Sequence, residues 1–212
     1  NKIAFAKVDS AGSNDDLGRD GAIHVGVDYA QPAGVALSDL EISGNAKFGL
    51  SIKPDAKLTK LERVTIKDNL AGAAHVAPPS VAQLKGTDVV MESNGPDNLV
   101  MIETTILVPI AEDTVWPNVA PAKYRIVGQH LVGGNLVYVD RHLTIEPGAV
   151  FELAGGTGIL MRGGTSGLKA VGTPDKPIIF QGVSDSSWMG ITFGETTWSE
   201  NRLENVEVRN AS

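Results

Sequence analysis

The 212-residue chain is long enough for one or two domains, and with 42% hydrophobic and 20% charged residues it is too apolar to be disordered throughout. Eighteen lysines and arginines against 25 aspartates and glutamates leave a formal charge of −7, which argues against the clustered positive charge of a nucleic-acid footprint. The longest charge-free stretch, Asn69 to Leu84, is broken by Pro78 and Pro79, so no membrane span is predicted. The absence of cysteine removes disulfides, thiolate zinc sites and cysteine nucleophiles.

Twenty-four glycines and few aromatics suit many short strands joined by tight turns. After a first apolar segment, Lys2 to Val8, comes a polar loop from Ser10 to Gly21. Its paired carboxylates, Asp15 and Asp16, could divide acid and base roles or contact a sugar. The spacing Asp16-x-Gly18-x-Asp20-Gly21 follows the opening of a calcium loop, which makes Asp16 and Asp20 the candidate metal ligands. Gly18 stands where a third oxygen donor belongs, and Val27 where the closing glutamate would be. No cofactor is expected beyond this possible calcium.

The next segments repeat. Asn45 to Pro54 aligns without a gap on Asn69 to Pro78, an offset of 24, and the same offset places Leu37, Leu40 and Ile42 on Leu61, Val64 and Ile66. Glu41 and Thr65 fall between the apolar pairs, as in a strand with one buried face. Stacking such coils about 4.8 Å apart would build aliphatic ladders inside and an amide ladder of Asn45 over Asn69 in a turn. Residues 87–118 fit this pattern poorly, and 103–121, rich in proline and acid, reads as a connecting segment or insertion. The organisation expected is coils over 1–102, a connection over 103–121 and further coils over 122–212.

From Tyr124 onward short β-rich segments follow one another: Tyr124–Val127, Leu136–Val139, Leu143–Ile145, Val150–Leu153, Ile159–Met161, Leu168–Val171 and Ile178–Phe180. Turn clusters such as Gly155-Gly156-Thr157-Gly158 and Gly163-Gly164-Thr165 separate them; neither is followed by the Gly-Lys-Ser/Thr of a phosphate loop. At the end of the sequence Leu203 to Asn210 echoes Leu37 to Gly44 at an offset of 166, as though one repeat unit were starting over. With no initiator methionine or signal peptide, the sequence reads as an excised or processed fragment, its end near Ser212 abutting further β-structure.

The stretch Leu143-Thr144-Ile145-Glu146-Pro147-Gly148-Ala149-Val150, the run Leu168 to Phe180, Trp188 to Phe193 and Leu203 to Val208 together resemble the right-handed parallel β-helix repeats of secreted bacterial surface proteins, which share the pectate-lyase-like architecture. The resemblance implies an all-β right-handed solenoid with coils of about 24 residues, secreted or at a bacterial cell surface. It does not fix an activity, because that family includes adhesins, surface proteins and polysaccharide-processing enzymes. The lyase motifs Trp-Ile-Asp-His and Arg-x-Pro-x-x-Arg do not occur; of the hydrolase set only the paired acids near Asp15 have a counterpart. The favoured reading is a non-catalytic extracellular or cell-surface solenoid with a structural or adhesive role, its partners a glycan or surface and further coils or caps at its ends. The alternative is a polysaccharide lyase, glycoside hydrolase or carbohydrate-binding module using an outer-face groove. For that groove, Trp198, in the polar loop Glu195 to Glu200, joins Asp15 and Asp16 as a candidate sugar contact. The four histidines show no local metal spacing, and His24 and His75 occupy the outward positions of their strands.

Overall fold

A computed structural model describes residues 2–9, 21–26, 34–54, 56–104, 108–128, 135–196 and 198–212. The fold is all-β, 59% strand and 6% helical, a parallel β-solenoid of about seven turns with coils about 26 residues apart. The chain divides into two compact units, Asn1–Met101 with Val119–Lys123, and Ile102–Asn118 with Tyr124–Ser212.

The first unit contains β1 (Lys2–Asp9), β2 (Gly21–Val25), β3 (Gly34–Ser43), β4 (Phe48–Ile52), β5 (Lys57–Lys67), β6 (Gly72–Val76), β7 (Thr87–Glu92) and the start of β8 (Leu99–Thr104). One parallel sheet runs β1-β3-β5-β7 and a second includes β2, β4 and β6 in reverse order of stacking, β6-β4-β2. Leu37 pairs with Leu61, Leu40 with Val64 and Ile42 with Ile66, so the repeat read from the sequence is the coil-to-coil register. All six side chains are buried.

One feature of that repeat goes beyond simple alternation. Leu37 and Leu40 are three residues apart and would face opposite sides of a regular strand. Asp39 (φ 56°) and Arg63 (φ 51°) adopt left-handed backbone between the apolar positions, which turns the chain and returns all three apolar residues to the interior. Arg63 is an unfavourable residue for that conformation. Its guanidinium is clamped on the carboxylate of Asp39 one coil away, Nε to Oδ1 at 2.5 Å and Nη2 to Oδ2 at 2.8 Å.

A second left-handed corner recurs at Gly44, Asp68 and Ser93, and each is followed by a buried asparagine. The Asn45 Nδ2 donates to Asn69 Oδ1 (2.5 Å), and Asn69 Nδ2 donates to Asn94 Oδ1 (2.8 Å) and to the Ile42 carbonyl (3.2 Å). Asn94 Nδ2 reaches the Ile66 carbonyl (2.8 Å). The amide ladder therefore satisfies carbonyls that the turn withdraws from the sheet. It leaves no room beside it: a Cβ on Gly49 would lie 2.5 Å from Ile66 Cγ2 and 2.9 Å from Asn69 Nδ2.

The second unit contains the end of β8, then β9 (Thr114–Trp116), β10 (Lys123–Gly128), β11 (Asn135–Val139), β12 (His142–Ile145), β13 (Val150–Leu153), β14 (Thr157–Met161), β15 (Gly167–Val171), β16 (Ile178–Gly182), β17 (Ile191–Phe193), β18 (Arg202–Glu204) and β19 (Val206–Val208). All seven β-rich segments read from the sequence are strands, β10 to β16. Three parallel ladders surround the interior: β10-β13-β16-β19, β11-β14-β17 and β9-β12-β15-β18. Residues 103–121 are partly built into coils, since β9 pairs with β12 and Ile110 bridges to Val139.

The core of this unit carries a column of aromatic rings, whereas that of the first is mostly aliphatic. Tyr124, Phe151 and Phe180 stack in consecutive coils at centroid separations of 5.0 and 4.9 Å, with Trp116 against Phe151 and Trp188 against Phe180. All five are buried. The Tyr124 hydroxyl donates to the Pro117 carbonyl at 2.8 Å, and burial holds the phenol well above its ordinary pKa of 10.0. A raised phenol pKa contributes stability that is complete below pH 10 and is lost as pH rises beyond it. In urea unfolding between pH 8 and 11, the wild type should lose up to about 1.4 kcal/mol per pH unit above about pH 10 from this group. Tyr124→Phe should lack that component, while being about 1 kcal/mol less stable at pH 7 for want of the hydrogen bond.

Candidate functional site

The outer face of β9-β12-β15-β18 gathers the most varied set of side chains. In β12 the burial alternates, so Leu143 and Ile145 fill the core while His142 and Thr144 face outward. The His142 Nδ1 donates to Asp113 Oδ1 at 3.0 Å, and the His142 main-chain N–H reaches the same oxygen at 3.3 Å. Those two contacts, the main-chain one first, hold the Asp113 carboxyl below the usual carboxylate range. His142 is in register with Gly167 on β15, where a Cβ would fall 2.2 Å from Trp198 Cε3. The glycine opens the gap into which the indole packs, and the indole stacks on the imidazole at 4.2 Å and 16°.

The loop carrying Trp198 is tied down on both sides. Asn201 Oδ1 accepts from the Leu168 N–H (2.9 Å), while its Nδ2 donates to the Trp198 carbonyl (3.0 Å). Lys169, one outward position beyond Gly167, donates to Glu200 Oε2 at 2.7 Å and lowers the Glu200 pKa. Asp113, His142, Lys169, Trp198 and Glu200 thus meet on one face although they span almost 90 residues of sequence.

The other outer faces carry ion pairs that run from coil to coil. Glu41 on β3 lies between Lys7 on β1 (3.4 Å) and Lys67 on β5 (3.2 Å). Arg162 binds Asp140 and covers the Tyr138 ring at 4.6 Å. Glu152 on β13 is buried and meets Arg125 on β10 through Nη2 at 2.5 Å. Among the described residues, no three histidine, aspartate or glutamate side chains are grouped closely enough to hold a metal, and no helix is long and apolar enough to cross a membrane.

No protein-family model, curated protein or solved structure matches the chain.

Of the residues singled out from the sequence, Asp15, Asp16 and Asp20 lie outside the described residues. Trp198 is half-buried, one face taken by His142 and its edge by Gly167. Trp116, Trp188 and Tyr124 belong to the core. His75, expected to face outward, is instead buried, as all of β6 is, and stacks on Phe48 at 5.3 Å. The sequence reasoning missed Asp113, His142, Lys169 and Glu200 as members of this cluster. Alternation marks His142 and Lys169 as outward, but no local spacing joins either to Trp198, and Asp113 lies before β9, outside any alternating strand.

Proposed function

We propose that this chain is a non-catalytic solenoid segment with a structural or adhesive role, secreted or displayed at a bacterial cell surface, whose partners are a glycan or surface and further β-coils. The observation that carries the reading is the ion pairing from coil to coil across the outer faces of the described residues: Arg63 with Asp39, Glu41 with Lys7 and Lys67, and Arg162 with Asp140. A general acid needs a carboxyl pKa raised towards neutrality. Here Asp39, Glu41, Glu62, Asp113 and Glu200 are all shifted downward by arginine, lysine or histidine neighbours, and most of those neighbours lie on an adjoining coil. Such pairs pin coil to coil and keep the acids ionised; they suit a rigid spacer better than proton transfer.

A carbohydrate-binding role is the second reading. It is favoured by the half-buried indole of Trp198 beside His142, Lys169 and Glu200, since a partly exposed ring flanked by charged hydrogen-bonding groups can seat a sugar ring. A glycan-array screen of the purified chain, with and without calcium, separates these readings when reducing-end and lyase-product assays follow on every glycan bound. Binding without turnover is the expected result for an adhesive segment, and turnover of any bound glycan would overturn the non-catalytic reading. If the β9-β12-β15-β18 face is the site, Trp198→Ala should lower binding at least tenfold, about 1.4 kcal/mol, while Leu70→Ser, in the first unit, leaves it unchanged.

A further inference from the structure

The last coil of the second unit exposes the wrong side chains for an outer surface. Phe193 is in register with Met161, Leu203 with Ala170 and Val208 with Phe180, and each of those partners is fully buried in the interior. Phe193, Leu203 and Val208 are therefore the next rungs of the interior ladders, yet they are 39%, 42% and 47% exposed. The strands that carry them, β17, β18 and β19, are each the last member of their ladder among the described residues. Three open strand edges beside a cross-section of core form a surface complementary to a parallel coil.

The chain itself indicates which kind of coil. Leu203 to Asn210 repeats the sequence pattern of Leu37 to Gly44, and it repeats the backbone too: Asn205 (φ 46°) matches Asp39, and Asn210 (φ 60°) matches Gly44. In the first unit that same element carries β5 on top of it. There Leu37, Leu40 and Ile42 are 0%, 4% and 0% exposed under Leu61, Val64 and Ile66. Glu207 stands where Glu41 does, and Glu41 takes the ammonium of Lys67 from the covering strand.

We infer that the face formed by Phe193, Leu203, Val206 and Val208 is a docking surface for one further parallel β-coil of the β5 type. That coil presents apolar side chains with the spacing of Leu61, Val64 and Ile66 and a lysine to Glu207. This deepens the partner reading above by fixing the chemistry and register of the coil, and it rests on that reading only for the kind of partner. The glycan screen does not bear on it.

At the 166-residue offset Ser212 is equivalent to Ala46, so a copy of Lys47 to Gly86 appended after Ser212 would continue the coil in register. Hydrogen exchange of the β18 and β19 amides should slow at least tenfold in the extended protein relative to the original chain. The protection should vanish when the appended copy carries Leu61→Ser, Val64→Ser and Ile66→Ser. It should also vanish with Leu203→Glu in the extended protein, a change at an exposed position that should shift the melting of the original chain little. Unchanged exchange in the extended protein, or equal protection by the serine version, would overturn the inference. Protection of β18 and β19 that appears in the original chain as its concentration rises would assign the face to a second copy instead, and would equally overturn it.

Discussion

Asn69→Leu should destabilise the protein by about 3–5 kcal/mol, a large share of the 5–15 kcal/mol typical of a folded domain. Asn69 is fully buried and sits at the centre of the amide ladder. Its Oδ1 accepts from Asn45 Nδ2 (2.5 Å) and from the Asn45 main-chain N–H (3.2 Å), while its Nδ2 serves Asn94 Oδ1 and the Ile42 carbonyl. Leucine has the same branched outline but bulkier methyl groups, so the loss combines unsatisfied polar partners with overpacking in a site that has no spare room. Each buried group deprived of its partner costs about 1–3 kcal/mol, and several are affected at once. The neighbouring Leu70 is 69% exposed, and Leu70→Ser should change stability by less than about 0.5 kcal/mol. Urea titrations of the two variants at pH 7 should show a large fall in midpoint for the first and almost none for the second, at similar slope. Similar midpoints would mean that the ladder contributes little beyond filling space.

The ladder also shows what the sequence makes legible. Asn45, Asn69 and their flanking segments recur at a fixed offset because stacked coils put identical side chains in identical environments, where a repeated amide can bond to itself. Asn94 follows at an offset of 25, one residue more, and that single insertion was enough to hide it among residues that fit the repeat poorly. The corners at Asp39 and Arg63 were hidden for a different reason. The spacing of Leu37 and Leu40 violates strand alternation, but only a backbone angle reveals that the chain turns there. The outer-face cluster was the least legible. Asp113, His142 and Trp198 lie on three different coils, 29 and 56 residues apart, and variable turn lengths in the second unit remove any constant offset that could align them. Coil spacing carries the core because every coil contributes to it; a surface cluster is built once and leaves no period.

Phe151→Ala should have a comparable effect in the second unit, about 3–5 kcal/mol. Phe151 is fully buried, lies 5.0 Å from Tyr124 and 4.9 Å from Phe180 with nearly parallel rings, and touches Trp116 at 5.6 Å. Removing the middle ring of such a column deletes the transfer energy of a large side chain and leaves a cavity. That cavity cannot close without moving β13 relative to β10 and β16, whose register is fixed by main-chain hydrogen bonds. Stacked rings add about 0.5–1.5 kcal/mol per pair beyond their area. Phe151→Leu keeps much of the volume but loses both stacking contacts, so it should fall between the wild type and alanine, at about 1–2 kcal/mol. Hydrogen exchange can locate the loss: the amides of β10, β13 and β16 should exchange faster in Phe151→Ala by the factor that its stability change predicts. If Phe151→Leu proves as damaging as Phe151→Ala, the column acts through the geometry of its stacked rings; if both are mild, the coils can collapse onto the gap and the main-chain ladders carry the unit.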